Sequence, residues 1–139
     1  MNRSKSGLFL MELIIAIAFF SFASAICVQL FSVAHNLRQR SFNIQMAVGN
    51  AQSAAEVFKT TGGDAYYMTS LLESDYIGGQ FITHYCDEWL PAEADNARYT
   101  MTVNIDRTIV PSRALIIITD DFNNTELYNL EVRRYLGGR

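Results

Sequence analysis

With 139 residues, half of them hydrophobic and 18% charged, the chain is too short for two ordinary domains; it holds one compact unit plus one unusually apolar segment. Its formal net charge of −3 argues against a nucleic-acid partner, since phosphate binding wants a basic surface. The two cysteines, Cys27 in the apolar part and Cys86 in the polar part, cannot form a disulfide framework, so two free thiols are expected.

The hydrophobic residues are unevenly placed. From Leu8 to Leu37 there is one acid, Glu12, a single His35, and no Lys or Arg. As a helix, the uncharged stretch from Leu13 to Leu37 is about 37 Å long, enough to cross a hydrocarbon layer of ~30 Å. It is apolar on every side, which suits a membrane better than a soluble core. Arg3 and Lys5 flank one end and Arg38 and Arg40 the other, so loop charge alone does not orient it.

Two processing patterns compete in this region. A basic start, an apolar run and the small residues Ala23-Ser24-Ala25 read as a secretory signal with release after Ala25. Against it, the run continues through "ICVQLFSVAHNL", and Glu12 sits where a signal should be uncharged. In the second pattern, "KSGLFLMEL" ends a short basic leader at Gly7, starts anew at Leu8 and places Glu12 five positions in. This resembles the N-terminal signature of type IV prepilins and the pseudopilins of type II secretion and competence systems. Gly7, Leu8, Glu12 and the helix "LIIAIAFFSFASAICVQLF" match it in order; Leu8 stands where Phe is commonest.

The resemblance implies cleavage between Gly7 and Leu8 by a prepilin peptidase, followed by N-methylation of Leu8. Loss of Arg3 and Lys5 takes the net charge from −3 to −5. A lone carboxylate inside a bilayer costs ~2.5–3.5 kcal/mol on insertion scales and needs a partner. The amine freed at Leu8, of the same or a neighbouring copy, would be that partner, which makes Glu12 a device for assembly register. The plainer reading is a first-turn acid favoured by the helix dipole. The family's partners are the peptidase, other pilin or pseudopilin subunits and the membrane. Its location is a single-pass anchor with a cytoplasmic leader and an extracytoplasmic head.

The expected fold is α+β, a pilin-like lollipop: leader 1–7, a transmembrane or fibre-core half-helix 8–37, and 38–139 as helix continuation plus a β-sheet head. After Leu37, apolar or small residues recur at Ser41, Ile44, Val48, Ala51, Ala55 and Phe58, one face of a helix. Without a proline, a single helix from Leu8 to Thr60 is expected, about 80 Å long, stopped by Gly62 and Gly63. "DAYYMTSLLESDY" reads as a short second helix or turn capped by Asp64. About four strands follow. "QFITHY" is one and turns through "CDE" into "WLP". "ARYTMTVNID" alternates with Tyr99, Met101, Val103 and Ile105 inward. "ALIII" reads as a central strand covered on both faces. "LYNLEVRRYL" carries Tyr128, Leu130 and Val132 inward, after the loop "TDDFNNTE". Short connections make the sheet an antiparallel meander.

No catalytic set emerges, and no cofactor is implied. His35 and His84 lack a nearby Cys or acid at ligand spacing, and "IGGQ" and "LGGR" lack the lysine and hydroxyl of a phosphate loop. Asp120, Asp121, Asn123 and Asn124 are oxygen donors of the kind calcium takes, but without EF-hand spacing, and a solvated turn accounts for them. Trp89 reads as core, while Tyr66 and Tyr67 suit core or subunit contact. Three function classes therefore stand: a structural pilin or pseudopilin, a membrane-anchored extracellular binding protein, and a secreted protein.

Overall fold

The computed structural model describes residues 3–135, with side chains from Lys5 onward. Met1 and Asn2 of the expected leader, and residues 136–139 of the expected head, lie outside the described residues. Helix α1 runs unbroken over Arg3–Thr61, so it begins inside the leader rather than at Leu8. The chain divides between Ser41 and Phe42 into two units.

The first unit is the apolar part of α1. Its large side chains are bare around the whole circumference, with Phe19, Phe20 and Phe31 more than two-thirds exposed. Two of its few polar groups are satisfied within the helix: Ser21 Oγ donates to the Ile17 carbonyl at 2.9 Å and Ser24 Oγ to that of Phe20 at 2.8 Å. Such back-bonding spares a hydroxyl the cost of facing hydrocarbon unpaired. This helix is long and apolar enough to cross a membrane.

The second unit is α+β, as expected, but its antiparallel sheet has five strands in the order β1-β2-β3-β4-β5. These are β1 (Asp75–Ile77), β2 (Gln80–Tyr85), β3 (Tyr99–Asp106), β4 (Ser112–Asp120) and β5 (Thr125–Arg134). The extra strand is β1, which the sequence reading placed in the second helix. That helix, α2, covers only Ala65–Leu72, capped as expected by Asp64, whose carboxylate accepts the Tyr66 and Tyr67 N–H groups. It ends at Glu73 with a left-handed backbone. Gly78 and Gly79, both at positive φ, then turn β1 into β2 with Ile77 opposite Gln80. A two-residue turn with two left-handed positions is the natural hairpin for a right-twisted strand pair.

The stripe of α1 that meets the sheet is Ala47, Ala51, Ala54, Ala55 and Phe58, all buried. Ala51, Ala55 and Phe58 of the expected stripe are buried, but its N-terminal part is not: Leu37, Ser41 and Ile44 are exposed and Val48 lies at the edge, with Ala47 and Ala54 taking their place. Alanine lets the helix backbone come close, and Phe58 fills the space at one end. Opposite them lie Phe81, Tyr99, Met101, Val103, Ala114, Ile116 and Ile118. Strand β4 is an interior strand, paired on both sides, yet covered on one face only. Ala114, Ile116 and Ile118 are buried, whereas Leu115 is 37% exposed and Ile117 half-buried. On β5, Val132 is buried and Tyr128 and Leu130 half-buried, with a bulge opposite Ile118/Thr119. The expected hairpin through "CDE" into "WLP" reduces to one bridge, Tyr85 to Pro91.

The β4–β5 loop is closed by an aspartate. Asp120, 5% exposed, accepts N–H groups from Phe122 at 3.1 Å and Asn123 at 3.2 Å, and Asn123 Nδ2 at 2.7 Å. Replacing it removes the charged acceptor of all three part-buried bonds, and a hydrogen bond to a charged group contributes about 1.5–3 kcal/mol. Asp120→Ala should therefore lower the urea midpoint of the head, and Asp120→Asn, which keeps one acceptor, by less.

Candidate functional site

Helical periodicity sets the geometry at the N-terminal signature. Leu8 and Glu12 are four residues apart on α1, one above the other on the same face. Lys5, Leu8, Phe9, Met11, Glu12 and Ile15 together line a shallow groove on that face. Leu8 is 70% exposed and Glu12 is exposed. Among the described residues, Glu12 has no ion-pair partner within 4.0 Å. Nor is it a first-turn acid of α1, which begins at Arg3 and holds no acid in its first turn. The dipole contribution fades within that turn. An exposed carboxylate in an apolar helix surface thus lacks both an ion-pair partner and the helix-start dipole among the described residues.

Gly7 has a similar status. A Cβ added there meets nothing within 4 Å, so packing does not demand a glycine. Inside a helix it costs ~1 kcal/mol relative to alanine. Gly49 has the same freedom; what singles out Gly7 is its spacing to Glu12. His35 is exposed on α1, and Cys27 and Cys86 are free thiols, Cys27 exposed and Cys86 half-buried.

Among the recesses of the head, a cleft of about 570 Å³ lies beside Cys86, Asp87, Arg98, Asp121 and Phe122. Arg98 donates to Asp87 at 2.8 Å, a bond that strengthens its hold on its proton against the opposing effect of burial. Its guanidinium also lies over the Tyr99 and Phe122 rings, at 5.5 and 5.7 Å from their centroids. Asp120 and Asp121, two of the oxygen donors noted in the sequence, are engaged in loop closure and in bonds to Thr100 and Thr119. Among the described residues, no three His, Cys, Asp or Glu side chains are grouped to hold a metal ion. His84 Nδ1 is 2.9 Å from Thr100 Oγ1, but that hydroxyl donates its proton to Asp121. The imidazole must therefore donate from Nδ1 and cannot act as the base for Thr100.

Two tyrosines of the core add a pH dependence. Burial raises the Tyr85 phenol above its ordinary 10.0, and Glu73 adds to the effect. Burial also raises Tyr99; Arg98 opposes this, while Asp120 and Asp87 reinforce it. A folded-state pKa above the unfolded one means that ionisation favours unfolding. The contribution is full below about pH 10 and is lost as pH rises through the folded values. In an alkaline titration followed by tyrosinate absorbance, two of the seven tyrosines should ionise late. They should do so together with the loss of Trp89 fluorescence, not before it.

Tyr66 and Tyr67 are 77% and 57% exposed on α2, so neither is core, whereas Trp89 is buried as expected. The sequence reading missed the Trp89–Asn43 hydrogen bond at 3.3 Å, which joins residues too far apart for any periodic signal to link. No family model, curated protein or solved structure matches the chain.

Proposed function

We propose that this protein is a non-enzymatic structural subunit, a pilin or pseudopilin, of a type IV pilus or a related secretion or DNA-uptake apparatus. The observation that carries this reading is the joint placement of Gly7, Leu8 and Glu12 at the head of one uninterrupted apolar helix. The α+β head supports it as an architecture suited to display on such a helix. The chain enters the membrane with its leader in the cytoplasm and its head outside. A prepilin peptidase then cuts after Gly7 and methylates Leu8.

The physical logic lies in charge. Before the cut, Glu12 is an isolated anion whose burial in lipid costs ~2.5–3.5 kcal/mol. After it, the helix begins at Leu8, and a cation stands one turn away from Glu12 on the same face. Within a bundle of staggered copies, the amine of one copy and the Glu12 of another meet at one axial offset only. Breaking a buried pair by removing one partner costs ~3–5 kcal/mol, so the pair discriminates strongly between offsets.

Co-expression with an active prepilin peptidase tests the first step. The chain should shorten by its seven-residue leader, and Gly7→Val should stay full length under the same conditions. A chain that stays full length with the active peptidase, or is shortened regardless of Gly7, contradicts the reading.

A further inference from the structure

The second unit contains a fastening device that does not depend on the proposed function. Among the described residues, only one side-chain hydrogen bond ties α1 to another element: Trp89 Nε1 donates to Asn43 Oδ1 at 3.3 Å. Everything else that holds the helix to the sheet is apolar and non-directional. Of those contacts, Ala47, Ala51, Ala54 and Ala55 present single methyl groups, which interlock weakly with a sheet face. Phe58 is the one large, fully buried side chain of α1 and stands at the far end of the stripe, with Met46 and Val57 only partly buried against the core. Asn43 lies one turn before Ala47, so it continues the inward face at the opposite end.

Trp89 is itself firmly held. It is 4% exposed, stacked on Tyr99 at 4.1 Å and 9°, and tilted against Tyr85 at 5.9 Å. Its φ of 63° is left-handed, uncommon for a bulky side chain. A tight turn enforces it: Trp89 N donates to the Cys86 carbonyl at 3.0 Å and Cys86 N to that of Leu90 at 2.9 Å. The loop is tied down on both sides, by Ala92 N to His84 O and by Arg98 N to Tyr85 O. An indole projected by a tightly fixed loop onto a lone polar side chain is arranged to position that side chain.

We infer that the loop from Cys86 to Ala97 is a strap whose Trp89 latches α1 through Asn43, fixing the Phe42–Met46 turn against the sheet. Phe58 and Asn43 then act as two fixed points with a smooth alanine track between them. Releasing the Asn43 point lets that turn lift and pivot about Phe58, while the rest of the interface stays packed. Asn43 and Trp89 are positioning residues for the helix.

The test is a pair of electron–electron distance measurements on the full chain in detergent micelles, with Cys27→Ala and Cys86→Ser as background. Spin labels are placed at exposed Gln45 and Asn104 in one sample, and at exposed Gln52 and Asn104 in the other. With Asn43 and Trp89 intact, both distributions should be narrow. Asn43→Leu, of similar size, and Trp89→Phe, which keeps a ring but loses the N–H, should each broaden the Gln45 distribution about twofold and leave that of Gln52 narrow. Asn43→Asp, which keeps an acceptor oxygen, should retain the narrow Gln45 distribution. An unchanged Gln45 distribution in both disruptive variants overturns the latch, as does equal broadening of the two pairs in a folded head.

Discussion

Glu12→Leu should leave membrane insertion and cleavage at Gly7 intact while abolishing incorporation into filaments. Removing the carboxylate relieves the ~2.5–3.5 kcal/mol cost of carrying a charge into lipid, so insertion is expected to be at least as efficient. On the proposed function, what disappears is the partner of the amine freed at Leu8. Each copy then carries a buried cation without its anion, a defect of ~3–5 kcal/mol, and neighbouring helices lose the contact that distinguishes one axial offset from another. Cross-linking between copies in membranes, alongside electron microscopy of sheared or overproduced filaments, reads the outcome. Filaments formed at ordinary yield by Glu12→Leu would count against the role given to Glu12, while leaving the leader cleavage untouched.

Phe58→Ala should have the largest effect on the head itself. Phe58 is the one large side chain of α1 that is fully buried in the core, with Met46 and Val57 packed partly buried against it. Truncating a buried Phe costs about 3–5 kcal/mol, and a domain of this size has only about 5–15 kcal/mol in all. Urea unfolding followed through Trp89, the only tryptophan, should show a much lower midpoint with a similar slope. Phe42→Ala, at a 47% exposed position near the other end of the same helical segment, serves as the contrast and should shift the midpoint little. If the two variants lose comparable stability, the core is not centred where the alanine stripe and Phe58 place it.

The elements that were legible in the sequence share one property: their signal is local and periodic. The alternation of Tyr99, Met101 and Val103 gave β3 and its inward face, and Asp64 marked the start of α2 because capping is a two-residue event. The long helix was legible through the absence of proline and through its terminal glycines. Elements set by tertiary context were not. β1 is three exposed residues with no pattern of their own, made a strand by the Gly78–Gly79 turn and by pairing with β2. "ALIII" looked covered on both faces because its residues are uniformly apolar, yet only the face carrying Ala114, Ile116 and Ile118 meets α1 and the core. The N-terminal part of the helix stripe was misplaced because Leu37 and Ile44 are more hydrophobic than Ala47 and Ala54, which make the contact instead. Hydrophobicity ranks burial by size, whereas close helix–sheet approach selects small side chains.

At the N-terminal signature, spacing was visible and consequence was not. Gly7, Leu8 and Glu12 are legible as a pattern, and the structure adds that Gly7 has no packing role and that Glu12 lies beyond the first turn of the uncut helix. On the proposed function, a cut after Gly7 would move the helix start, and a positive charge, to within about one turn of Glu12, which has no ion-pair partner among the described residues.

Intact mass and N-terminal sequencing of the chain, purified from membranes of a host with a working prepilin peptidase, test this account most directly. The account predicts a polypeptide that starts at Leu8 and carries one added methyl group on its amine. A chain still starting at Met1 would mark a simple membrane anchor, and one starting at Ile26 a secreted protein; either contradicts it.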